Sequence, residues 1–199
     1  MTEEYRAASQ QKPRLCSCTT VFLDRDGTIN VKAPEGQYVT SPGEVCLLPG
    51  AAAAIAQLNA VAMRVIVATN QGWLSGMPDM EGYARVHGRL EELLAAGGAH
   101  LDAAYFCPHA RGSCCCRKPN PGMLQRAAKE HGFRLGEAVM IGDSETDVTA
   151  GRAAGTATIL LRSGREIASS NADLIAADLA EAVHLILNAR TPCLTGCPW

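Results

Sequence analysis

Five short apolar runs punctuate the chain, at residues 20–23, 64–68, 103–106, 138–141 and 156–161, and helical patterns separate them. The runs are too short for core helices and too apolar for loops, so they read as buried strands. Helices are predicted over residues 50–60, opened by Pro49-Gly50, and over 79–96, 121–131, 144–154 and 178–189. Strands that alternate with helices in this way specify an α/β fold: a Rossmann-like, mostly parallel sheet with helices on both faces. Ligands of such sheets bind beyond the carboxyl ends of the strands, where strand order reverses. Three of the runs stop there on polar side chains, at Asp24, at Thr69 and, after Gly142, at Asp143. The topology thus brings together residues that are far apart in the chain.

At 199 residues the chain is long enough for one domain that buries about 70% of its unfolded surface. Hydrophobic residues make up 47% and charged residues 19%, with 10 Pro and 19 Gly, the profile of a folded globular protein. Eighteen basic and 20 acidic residues give a net charge of -2 without like-charge runs, so neither nucleic acid nor an anionic membrane is expected as a partner. An anionic substrate must be held by a few local groups. The first 14 residues lack a secretory apolar stretch, no run reaches 18 apolar residues, and a cytoplasmic monomer is the expectation. The predicted organisation is an N-terminal extension at 1–18, a single domain at 19–190 and a tail at 191–199. No insertion between Asp24 and Lys118 is long enough for a separate cap, so the site should be open and shaped by loops.

Asp24 and Asp26 stand two apart beyond the first strand, a spacing that turns both carboxylates toward one pocket, and Gly27 permits the sharp turn. Two carboxylates this close repel unless a cation lies beside them or one holds a proton. Magnesium, which favours carboxylate, water and phosphate oxygens, suits such a pair, with Asp143 as a further ligand and Asp147 in support. Phosphate esters hydrolyse so slowly that catalysis must position the group and neutralise its charge. Asp24 is placed to attack phosphorus, Asp26 to protonate the leaving oxygen and then activate water, Thr69 and the Asn70 backbone to hold phosphate oxygens, and Lys118 to neutralise charge.

Nine cysteines occur, four of them (Cys107, Cys114, Cys115 and Cys116) within ten residues beside His109, a density that points to metal chemistry more than to disulfides. Cys16, Cys18, Cys46, Cys193 and Cys197 receive no role.

These segments carry a family resemblance. Asp24-Arg25-Asp26-Gly27-Thr28, the strand ending in Thr69-Asn70, Arg117-Lys118-Pro119 and Gly142-Asp143-Ser144-Glu145-Thr146-Asp147 resemble, in order, the four motifs of the haloacid dehalogenase superfamily, over about residues 20 to 190. The second aspartate of the first motif implies its phosphatase branch. The chain resembles more narrowly the small-capped histidinol-phosphate and heptose-bisphosphate phosphatases, which have a zinc loop before the lysine motif. That likeness implies a minimal cap and a structural zinc in the loop at 107–116, held by Cys107, His109, Cys114 and Cys116, with Cys115 turned away and Arg117 and Lys118 presented to substrate.

Between the two relatives, Asn30-Val31, Gly36-Gln37-Tyr38-Val39 and Lys118-Pro119-Asn120-Pro121-Gly122-Met123 resemble the heptose enzyme. The implied substrate is a small phosphorylated sugar, D-glycero-D-manno-heptose 1,7-bisphosphate losing its C7 phosphate. Tyr38, Gln71, Arg117 and Ser144 join the implied binding residues, Arg117 at the remaining phosphate. Two features depart from the pattern: the loop Gly72-Trp73-Leu74-Ser75-Gly76 is a residue short, and Ser144 stands where a lysine commonly follows the metal aspartate.

Each feature alone has a plainer reading. Asp-x-Asp-Gly also forms surface turns, Asp143 could cap a helix, Lys118 could be a solvated lysine, and the thiols could be free or a redox switch. Histidinol phosphate is the alternative substrate, and a zinc-stabilised binding module the alternative outside enzymes.

Overall fold

The computed structural model describes residues 15–74, 79–164 and 169–194. Six strands form one sheet: β1 (Thr20–Leu23), β2 (Arg64–Asn70), β3 (Ala103–Cys107), β4 (Ala138–Gly142), β5 (Ala157–Leu161) and β6 (Leu174–Ala176). All pairings are parallel, in the order β3-β2-β1-β4-β5-β6. The order reverses at β1 and β4, the crevice that such a sheet offers to a ligand. Among the described residues five helices connect and flank the strands: α1 (Ala51–Ala60), α2 (Met80–Ala96), α3 (Gly122–His131), α4 (Glu145–Ala154) and α5 (Leu179–Leu194).

The central strands are apolar at successive positions because both of their faces are covered. Val21 and Leu23 of β1 join Val65, Val67, Val139 and Ile141 in one core, closed by Ile55 and Leu58 of α1, Leu90 and Leu94 of α2, and Val183 and Ile186 of α5. Phe22 between them points the other way, with Ile66 and Met140, onto Met123, Leu124 and Ala127 of α3.

Four boundaries differ informatively from expectation. β2 runs on to Asn70 and β3 to Cys107, because Thr69 and Asn70 pair with Phe106 and Cys107 in the parallel ladder. Polar residues predicted as loop are therefore strand ends, which fixes their backbone. Asp79 and Ser144 are helix caps: the Asp79 carboxylate accepts from the Gly82 N–H at 2.7 Å, and Asp147 closes a capping box on Ser144. β6 had no counterpart in the strand prediction. It is three residues long and partly exposed, so periodicity has little to act on.

Residues 24–50 contain one 3₁₀ turn, Pro42–Glu44, and isolated bridges joining Asp26 to Asn30 and Asn30 to Leu47, but no inserted domain. Leu15–Ser17 is a 3₁₀ turn packed on α5; Leu15 and Cys18 are buried, and the Arg190 guanidinium donates to the Cys18 carbonyl at 2.9 Å. Burial pushes the Cys18 thiol up to about 11, as suits an inert packing thiol. Cys46 is exposed. Residues 1–14, Ser75, Gly76, Cys197 and the side chain of Cys193, together with the other side chains of the proposed tail, lie outside the described residues. Among the described residues no helix is long and apolar enough to cross a membrane.

Candidate active site

Asp24 directly follows β1, and its N–H donates to the Ile141 carbonyl of β4 at 2.9 Å, so the neighbouring strand fixes where its side chain begins. Asp143 directly follows β4. The turn between Asp24 and Asn30 brings the chain close to it through Gly27, whose φ is 91°. A Cβ at Gly27 would lie 2.6 Å from Asp143 Oδ2, so both the conformation and the close approach require glycine. Oxygens of Asp24, Asp143 and Asp147 come within 4.8 Å of one another, a group of three carboxylates able to hold a divalent cation.

Lys118 is the buried counter-charge. Its ammonium lies 2.9 Å from Asp24 Oδ1 and 2.5 Å from Asp147 Oδ1, and it donates to the Ala68 carbonyl at 2.6 Å. Its side chain is 2% exposed and that of Asp147 1%, so this ion pair is dry. Burial opposes the lysine's charge, but Asp147 and Asp24 more than reverse that, holding the ammonium above the usual lysine range. Burial likewise pushes Asp24 up to about 6, against the pull of Lys118, with Asp147 adding to the rise. The lysine's backbone is clamped too: Asn70 Nδ2 donates to the Lys118 carbonyl and Asn70 Oδ1 accepts from its N–H, each at 3.0 Å.

The carboxylate of Asp26 stands apart from the three. Its Oδ1 accepts from Arg25 Nε at 3.1 Å and Asn30 Nδ2 at 2.9 Å, and its Oδ2 from Arg25 Nη2 and Gln71 Nε2, both at 2.9 Å. Asp24, Asp26, Thr69, Asn70, Lys118, Asp143, Ser144 and Asp147 all line one cleft, with Tyr38 and Arg117 on its wall and Lys32 reaching in from the irregular segment. Gln71 is fully buried behind this lining. Ser144 donates through Oγ to Asp147 Oδ2 at 2.6 Å, so it braces the carboxylate that holds Lys118.

The second cluster lies at the end of β3. Cys107 Sγ is 3.4 Å from His109 Nδ1, 3.5 Å from Cys114 Sγ and 3.3 Å from Cys116 Sγ. Cys116 Sγ is 3.2 Å from both His109 Nδ1 and Cys114 Sγ. All the thiols are free, and the separations lie within a few tenths of an ångström of the ~3.5–3.8 Å edges of a tetrahedron about zinc. Three sulfurs and one imidazole make a donor set that fits that metal. Cys115 is exposed, outside the group. The loop in turn holds Arg117, whose N–H donates to Cys114 Sγ at 3.3 Å and whose Nη1 donates to the His109 carbonyl at 3.1 Å.

Comparison with known proteins bears on the family. A family model described as HAD-hydrolase-like matches residues 115–182, from the cysteine loop through α4 to α5. The D-glycero-D-manno-heptose-1,7-bisphosphate 7-phosphatase of Thermosynechococcus vestitus is 38% identical over 193 residues, covering 86% of this chain and 97% of that one. The corresponding D-glycero-beta-D-manno-heptose enzyme of Pseudomonas aeruginosa is 35% identical, covering 76% and 85%.

The chain belongs to the haloacid dehalogenase-like phosphatase family.

It is accordingly a phosphoric monoester hydrolase. The D,D-heptose 1,7-bisphosphate phosphatase of B. bronchiseptica, solved in complex with magnesium and phosphate, superimposes on this phosphatase with a TM-score of 0.75 at 32% identity, covering 85% of this chain and 98% of that one. A putative HAD-like phosphatase from Mesorhizobium loti gives 0.71 at 32% identity, covering 87% of each.

The sequence reading assigned no role to three participants in this HAD-like site, although Arg25 and Asn30 stand in segments that carry the resemblance. Arg25, the residue between the two aspartates, is 1% exposed and ion-paired to Asp26; its place between two acids was the available signal. Lys32, 55% exposed, reaches Asp143 Oδ2 at 3.0 Å, and Asn30 reaches Asp26; both depend on how an irregular segment folds back, which no periodicity encodes. Gly27→Ala is expected to lower phosphatase activity by about 100-fold, by pushing Asp143 off its position, while circular dichroism stays that of a folded protein.

Proposed function

We propose that this phosphatase hydrolyses D-glycero-D-manno-heptose 1,7-bisphosphate at C7, leaving the heptose 1-phosphate, by way of a phosphoryl group carried on Asp24. The observation that carries this reading is a single cleft with cations at its floor and on its wall, besides Lys32, which is paired with Asp143. Lys118 lies beside the nucleophile at its floor, and Arg117 lies on its wall, anchored by the cysteine loop. A molecule with two phosphates answers floor and wall, one for reaction and one for binding. The names and lengths of the relatives support the same substrate.

A carboxylate oxygen of Asp24 attacks phosphorus in line as the bond to the sugar oxygen breaks, and Asp26 gives that oxygen its proton. The products of this half are the sugar hydroxyl and an aspartyl phosphate. Asp26, now a base, takes a proton from water, whose oxygen attacks phosphorus and returns Asp24 as a carboxylate with release of inorganic phosphate. The Lys118 ammonium, the Thr69 hydroxyl and the Asn70 N–H offset charge on the three phosphoryl oxygens. Asp24, Asp143 and Asp147 would hold Mg²⁺, which supplies further neutralisation of the phosphoryl oxygens, while the carboxylate of Asp26, expected as a further ligand, is engaged by Arg25, Asn30 and Gln71. Zn²⁺ held by Cys107, His109, Cys114 and Cys116 would be structural, its four positions filled by protein. Tyr38 and Ser144 complete the substrate-binding set, Tyr38 on the wall and Ser144 through its brace on Asp147.

Phosphate release from the heptose bisphosphate should exceed that from histidinol phosphate at equal concentration with magnesium present; the reverse order would overturn the substrate assignment. Asp24→Asn should lose activity on the order of 10⁴-fold or more with an unchanged melting curve, and near-normal turnover would rule out the covalent route. For the cysteine loop, metal analysis should find one zinc per chain, and Cys116→Ser should lose it. Because Arg117 is held by that loop, the variant's KM for the bisphosphate should rise about tenfold, with a smaller change for a substrate having one phosphate.

A further inference from the structure

One buried amide touches two functional groups of the cleft. Gln71 is fully buried, and its Nε2 donates both to Asp26 Oδ2 and to Thr69 Oγ1, each at 2.9 Å. Its Oε1 accepts from Arg25 Nη2 at 3.1 Å and from the Trp73 indole Nε1 at 2.8 Å. Arginine and the indole donate and never accept. The amide therefore has one orientation that satisfies its neighbours. Turning it over would set its NH₂ against two donors and its oxygen against the Asp26 carboxylate, with no water to repair the mismatch.

The orientation has consequences on both sides. Asp26 cannot rotate about its carboxyl axis without losing Gln71, so the line along which it meets a leaving oxygen or a water is set from behind. The Thr69 oxygen, occupied by the Gln71 N–H, keeps its own hydrogen for a different partner, and Thr69 lines the cleft. The hydroxyl is thereby committed to donating, as an anionic phosphoryl group requires. Trp73 lies just beyond the end of β2, in the 3₁₀ turn Gly72–Leu74, so its indole N–H reaches back to the same amide.

We propose that Gln71 is a positioning residue for the hydrolysis, oriented by Trp73 and Arg25, and that it aims the Asp26 carboxylate and the Thr69 hydroxyl together. The inference rests on the reading of Asp26 as acid and base. Gln71 itself touches no reacting atom, so its effect is on alignment and should separate kcat from KM.

Gln71→Met keeps the length of the side chain and removes both functions of the amide, and Trp73→Phe removes the indole N–H while leaving Gln71 in place. With the full chain, magnesium and the heptose bisphosphate, Gln71→Met should lower kcat by about 10- to 100-fold with KM changed less than about twofold. Trp73→Phe should lower it in the same sense by a smaller factor. A leaving group that needs no proton distinguishes alignment from general damage: the loss in the single-turnover rate of enzyme phosphorylation should be severalfold smaller with 4-nitrophenyl phosphate than with an alkyl phosphate. Acid-quenched samples of Gln71→Met turning over 4-nitrophenyl phosphate should also retain more phosphorylated enzyme than wild type, because with that leaving group the activation of water is the step that is slowed. If Gln71→Met fails to fold, the leaving-group comparison on Trp73→Phe decides the matter. Equal losses on both leaving groups, or unchanged kcat, would sink the inference while a wild type that needs Asp24 still stands as a phosphatase. A wild type inactive on every phosphomonoester, or one whose activity survives Asp24→Asn, would sink both.

Discussion

The ammonium of Lys118, enclosed between Asp24 and Asp147, is the interaction on which the site depends. Three carboxylates converge where the sheet reverses, and without a cation their repulsion would push the strand ends apart. A buried charge deprived of its partner is among the most costly defects a fold can carry, of order 3–5 kcal/mol. Catalytic geometry and local stability are here the same demand. The lysine that neutralises Asp24 also holds together the ends of β1 and β2 and the start of α4, through Asp24, the Ala68 carbonyl and Asp147.

Such a lysine must arrive from a rigid support, and two supports are visible. Asn70 pairs with the lysine's own peptide groups, as a neighbouring strand would. The cysteine cluster grows directly out of β3, since Cys107 is both its first donor and the ladder partner of Asn70. A loop that would otherwise wander is tied at one end to the sheet and at the other to Arg117 and Lys118. The binding proposed at the rim and the neutralisation proposed at the floor therefore share one covalent segment.

The parts of this design that a reader of the bare sequence recovers are those written as punctuation. Asp24, Asp143 and Thr69 stop apolar runs, and a parallel sheet brings such stops to one edge whatever the details of packing. The alternation of strands and helices, both covered faces and the clustering of Cys107, His109, Cys114 and Cys116 follow in the same way. The contacts that remain hidden depend on lateral neighbours. Gln71 was expected among the substrate-binding residues, yet the turn after β2 buries it under Asp26. Arg25 is buried only because Asp26 and Gln71 are there to receive it, and Lys32 reaches Asp143 only after residues 24–50 fold back across the sheet. β6 was missed because its three half-covered residues carry no period.

The irregular stretch between β1 and α1 has a quieter consequence. It lends the cleft Lys32 and Tyr38, and among the described residues it forms no hinged lid over it. On the proposed route, solvent thus has a standing path to the acylphosphate bond, and departure of the alcohol reopens that path without any domain having to move. An acceptor that is small, abundant and never needs docking is favoured over a bulky alcohol. A roof left bare by the described residues inclines the proposed chemistry toward hydrolysis and away from transfer to a second alcohol.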